Sequence, residues 1–115
     1  MEQREQRTEE RFVAVAPLEA TYGGTAVRVI NLSAIGAQIE HASLLRLGSA
    51  GRFMLRHGNV AMDVKGVLVW SRLHEGLYRS GVHIQTSGRD YAEALEELIE
   101  SGALKRDPES LNRKR

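Results

Sequence analysis

The chain has no cysteine among its 115 residues. Disulfides, thiolate-held zinc and a cysteine nucleophile are therefore excluded. Aromatic side chains make up only 5%, so a strand surface of stacked rings of the kind that binds single-stranded nucleic acid has little to build on. Neither sign of charge dominates. The formal net charge is +1, which gives the whole molecule no bias toward nucleic acid or membrane. Apolar runs last only a few residues, too short to span a bilayer. The opening MEQREQRTEER lacks the apolar stretch of a secretory signal. Together with the missing cysteine, this leads us to expect a cytoplasmic protein without membrane insertion.

The signatures of catalysis are missing too. There is no GxxxxGK(S/T) phosphate loop, no dinucleotide fingerprint after a strand and no GxSxG elbow. His41, His57, His74 and His83 are too scattered to form a metal-binding motif. Asp63 alternates with apolar residues and reads as part of a solvated strand face. The expectation is a protein that is not an enzyme and carries no metal or cofactor.

What is present is an ordinary globular composition, 42% hydrophobic and 27% charged. A chain of this length makes one domain and buries roughly two-thirds of its surface on folding. The organisation reads as an arginine-bearing arm over residues 1–11, a folded unit over 12–103 and a basic tail over 104–115. The arm has no apolar residue after Met1 and cannot pack a core face by itself. Pro108 interrupts any helix in the tail.

Between the ends lie short β-rich segments: 12–16 (FVAVA, ending at Pro17), 25–30 (TAVRVI), 37–40 (AQIE), 51–57 (GRFMLRH), 60–70 (VAMDVKGVLVW) and 77–85 (LYRSGVHIQ). Phe53 and Leu55 share one face of their strand, opposite Arg52, Met54 and Arg56. Gly66 marks an expected bulge. Six short strands with glycine-containing turns predict an antiparallel sandwich or small barrel. One helix follows, from about Arg89 to Ser101. Tyr91, Leu95, Leu98 and Ile99 form its apolar stripe, Ser87 and Asp90 resemble a capping box, and Gly102 is the stop. The stripe is expected to cover an open end or side of the strands. Trp70 is expected in barrel or helix packing, with stacking on a ligand as the alternative.

The remaining chemistry is a pair of arginines and one small turn. Arg7 and Arg11 are spaced RxxxR, and nineteen residues later comes Asn31-Leu32-Ser33-Ala34-Ile35-Gly36. A hairpin centred near Thr21 sets Arg11 opposite Asn31. The turn then offers an amide, a hydroxyl and main-chain N–H groups, with Gly36 allowing a tight or positive-φ backbone. Two guanidinium forks beside neutral donors suit a phosphate-bearing ligand, and arginine also binds the guanine edge or stacks on a base. Alone, the arginines read as a solvated charge run and the turn as a polar loop. Their combination is far more specific.

With RxxxR at 7–11 and NxSxxG at 31–36, the chain resembles a PilZ domain, the bacterial receptor module for the second messenger cyclic di-GMP. GVLVW at 66–70 and YRSGVHI at 78–84 resemble later strands of that family, with Ile84 where an aromatic usually closes the segment. The likeness runs over about residues 7–101. It implies a mainly β fold, a six-stranded antiparallel β-barrel with a C-terminal α-helix. It implies that Arg7 and Arg11 grip the phosphates and guanines, that Asn31 and Ser33 hydrogen-bond a guanine or its surroundings, and that Gly36 shapes the turn. It further implies signalling to an unidentified downstream protein by ordering of the arm. A PilZ-like protein adaptor that binds no nucleotide is the alternative, and a nucleic-acid-binding barrel ranks last. Whether Arg4, Arg28 or Arg79 also meets the ligand is left open by the sequence.

Overall fold

A computed structural model describes residues 10–85 and 89–108. Its elements are β1 (Arg11–Tyr22), β2 (Thr25–Ser33), β3 (Gly36–His41), β4 (Ala50–His57), β5 (Val60–His74), β6 (Leu77–Ile84), α1 (Arg89–Glu100) and β7 (Leu104–Arg106). All pairings are antiparallel and run β2-β3-β6-β5-β4-β1-β7; β1 also pairs with β2, so the sheet returns on itself as a ring. The expectation of a mainly β, antiparallel fold with one C-terminal helix is met. The strand count is seven among the described residues, because Leu104–Arg106 pairs with Phe12–Ala14 where the sequence suggested the start of a tail.

Each strand supplies alternate residues to one core, including Val27, Val29, Ile39, Phe53, Leu55, Leu68 and Val82. Phe53 and Leu55 point inward while Arg52, Met54 and Arg56 lie outside, as their alternation requires. Tyr91, Ala94, Leu95 and Leu98 of α1 join the same core, with Ile99 packed against it. The glutamates at 93, 96, 97 and 100 are exposed. The helix packs on β5 and β7. It ends in a Schellman turn: Ala103 N–H reaches Leu98 C=O at 3.1 Å and Gly102 N–H reaches Ile99 C=O at 3.1 Å, with Gly102 at φ 90°. Ser87, the suggested cap, lies outside the described residues. No described helix is long and apolar enough to cross a membrane.

Three local expectations change. First, β1 does not stop at Pro17. Between the pairs Val13–Asn31 and Leu18–Val29, four β1 residues oppose the single residue Ile30. Pro17 lies in this wide bulge, where no ladder N–H is demanded of it. The bulge lets the first half of β1 turn to β7 while Ala20–Tyr22 pairs with β4. Second, the β1–β2 turn is Gly23-Gly24, both at positive φ, rather than near Thr21. The turn lies further along the chain and the bulge takes up three extra β1 residues, so together they pair Arg11 in register with Ser33, not Asn31. Third, Gly66 is no bulge. It pairs regularly with Gly51 and Ile84, and the β5 irregularity falls between Leu68 and Trp70. Glycine is needed at 66 because a Cβ there sits 2.6 Å from Val82 Cγ1.

Candidate functional site

The Asn31–Gly36 turn is built from the inside. Ser33 is fully buried, and its Oγ accepts the amides of Ile35 at 3.3 Å and Gly36 at 3.1 Å. The hydroxyl and two of the main-chain donors that the sequence offered to a ligand are thus used to close the turn itself. Gly36 does not have a positive φ, contrary to one of the two options the sequence left. Its glycine identity follows from close approach: a Cβ would sit 2.7 Å from the Val82 carbonyl oxygen on β6. Ile84 N–H then binds Ile35 C=O at 2.8 Å and fixes the turn to the end of β6. Ile35 itself is 50% exposed at the tip.

The arginine side begins at the first residue of β1. Two residues along β2 separate Arg11 from the pairing the sequence suggested, yet its side chain bridges the gap: Arg11 Nη1 donates to Asn31 Oδ1 at 3.2 Å. The bond joins the last residue of RxxxR to the first of NxSxxG. β7 lies on the other flank. Asp107 N–H binds Arg11 C=O at 3.0 Å, and Arg106 forms an ion pair with Glu10. Arg7 lies outside the described residues, as does Arg4.

From Asn31 the outer face continues across three more strands. Asn31 pairs with Gln38, Gln38 with Gly81, and Gly81 with Trp70. Trp70 is not core or helix packing. It is half-buried and lies against Gly81, where a Cβ would come 2.2 Å from the indole Nε1. A parallel row holds Arg28, Glu40, Arg79 and Arg72. Glu40 meets Arg28 at 3.1 Å and Arg79 at 3.7 Å. Arg72 stands opposite Arg79 and places its guanidinium 5.2 Å from the Trp70 ring centre. Arg28 and Arg79 thus lie on the outer face, tethered by one carboxylate.

Compared with protein-family models, the chain matches the PilZ domain over residues 5–101. The chain belongs to the PilZ domain family. The matched span contains both the RxxxR and the NxSxxG residues. A comparison with curated proteins finds no match.

Elsewhere in this PilZ domain the polar groups have structural work. His41 is buried, with Nδ1 2.7 Å from Ser43 C=O and Nε2 2.7 Å from Ser80 Oγ, which in turn bonds Ser71 Oγ at 2.9 Å. His57 and His83 are exposed and apart from it. Asp63 forms a two-pronged surface pair with Arg52 at 2.8 and 3.1 Å. Sequence reasoning missed the Trp70–Gly81 contact and the Arg72–Arg79 pair. A signal for both was present: counting back from the Glu75-Gly76 turn sets Arg72 opposite Arg79 and Trp70 opposite Gly81.

Proposed function

We propose that this PilZ domain is a receptor for cyclic di-GMP, held on the outer face that runs from Arg11 and Asn31 to Trp70. The observation that supports the reading is the 3.2 Å bond from Arg11, the last residue of RxxxR, to Asn31, the first of NxSxxG. The ligand is a dianion with two flat purines. Arg11 supplies a fork for phosphate or the guanine edge, and Asn31 and Gln38 supply amide donors and acceptors. Trp70 lies on Gly81 with the Arg72 guanidinium over its ring, and this indole–guanidinium pair is the flat surface offered to a purine. From Asn31 on β2 to Trp70 on β5 is three strand spacings, about 14 Å, which suits a cyclic dinucleotide. Arg7 adds a second guanidinium from the arm. Ser33 and Gly36 act by fixing the turn.

The reading is one of binding and relay, without catalysis or cofactor. Ligand capture fixes the arginine arm against the face, and the new surface is read by a downstream protein in the cytoplasm. Fixing backbone costs about 1–2 kcal/mol per residue, so micromolar affinity is the expected range. Calorimetric titration with cyclic di-GMP, with GTP as control, tests this directly. Saturable binding of the cyclic dinucleotide alone supports the receptor. No heat and no chemical-shift change at high micromolar ligand ends it and leaves the protein-only adaptor.

A further inference from the structure

We propose that Tyr91 on α1 is a positioning residue for the NxSxxG turn, and that through it the helix senses occupancy of the site. Tyr91 is 2% exposed and its phenol donates to the Ser33 carbonyl at 2.7 Å. The partners are 58 residues apart in sequence, and the bond is buried. A buried hydrogen bond of this kind is costly to leave half-made, so the phenol and the carbonyl constrain one another. Ser33 is then held from two directions, its Oγ by the turn amides and its carbonyl by the helix.

The other end of the helix holds the other half of the site. After the Schellman turn, Ala103 C=O accepts Val15 N–H at 2.9 Å, and β7 pairs with Phe12–Ala14 directly beside Arg11. One continuous element, α1 with β7, therefore grips Ser33 through Tyr91 and the Arg11 strand through β7. Any change in the spacing of Arg11 and Asn31 on ligand binding loads both attachments. The affinity consequence rests on the receptor reading above; the positioning of the turn does not.

The test is Tyr91→Phe in the full chain, which keeps the ring and removes the donor. Leu95→Val, which removes one methylene from the same helix face, is the control for helix packing alone. In the ligand-free protein, amide exchange at Ile35 and Gly36 rises in Tyr91→Phe and not in Leu95→Val. Cyclic di-GMP affinity falls about five- to tenfold in Tyr91→Phe, the size expected for one neutral hydrogen bond. Ligand-induced shifts of the Ala92 and Ala94 amides, present in the wild type, shrink in the same variant. Unchanged exchange at Ile35 and Gly36 overturns the positioning role. Unchanged affinity and undiminished helix shifts in a wild type that binds overturn the sensing role. A wild type that binds no cyclic di-GMP ends the receptor reading and the sensing role, and the exchange comparison still decides whether Tyr91 positions the turn.

Discussion

The two halves of the candidate site are built in different ways. The Asn31–Gly36 turn is determined several times over: by the Ser33 hydroxyl on two amides, by the Tyr91 phenol, by the Ile84 amide and by the close approach of Gly36 to Val82. The arginine half begins at the end of a strand whose flank is β7, an edge strand of three residues with two of them exposed. Short edge strands open at far lower free energy than core turns. On the receptor reading, the more fixed half presents Asn31 and the looser half brings the charge to it.

The largest expected effect falls on the looser half. Arg11→Ala removes a charge-assisted grip on the ligand, worth about 1.5–3 kcal/mol, so cyclic di-GMP affinity drops about tenfold to a hundredfold. Thermal stability moves less, because the bond to Asn31 is only partly buried and the backbone pairing of Arg11 to β2 and to Asp107 is kept. Calorimetry on the variant beside its melting curve separates the two. A variant that binds normally breaks the assignment of charge to this half.

Next comes the rigid half. In Gly36→Ala the new methyl meets a backbone oxygen at 2.7 Å, which no side-chain rotation relieves. Overpacking of this kind costs about 1–3 kcal/mol. Denaturant unfolding reads the loss. A variant as stable as the wild type means that β6 yields and the turn is less fixed than its contacts indicate.

A smaller effect concerns the ring that carries both halves. Tyr22 lies inside it, donating to Ser49 C=O at 2.8 Å, and burial raises its phenol above the ordinary value of 10.0. The folded state therefore keeps this proton at a pH where the unfolded chain releases it. Stability is full below the unfolded value and is lost as pH rises through the folded one. Unfolding followed from pH 8 upward declines beyond about 10, and Tyr22→Phe flattens that decline. An equal decline in the variant assigns it to another group.

Much of this comparison was legible in the sequence. Alternation gave the inward face of β4, helical spacing that of α1, and the motif residues gave the family. The register of β1 was hidden because a wide bulge leaves no mark in local composition beyond Pro17. Ser33 was legible as a turn residue but not as a buried one, and the phenol that binds its carbonyl comes from α1, 58 residues on. β7 was hidden because Leu104 is the one buried residue in a three-residue strand, and its pairing is set by the Schellman turn that aims it at β1.

The smallest effect tests how β7 supports the arginine. Arg106 is largely exposed and Glu10 half-buried, and an ion pair open to water on one side contributes about 1 kcal/mol. Arg106→Ala should hardly move the melting point. It nevertheless leaves the Glu10 carboxylate without this partner, one residue from Arg11. A negative charge uncovered there competes with an incoming dianion for the guanidinium. The expected result is a roughly twofold weaker affinity at low salt that disappears as added salt screens the charges. Glu10→Gln in the same background restores the affinity if the carboxylate is the cause. A loss that survives both high salt and Glu10→Gln means instead that Arg106 holds β7 in register, and that the looser half depends on backbone pairing more than on charge.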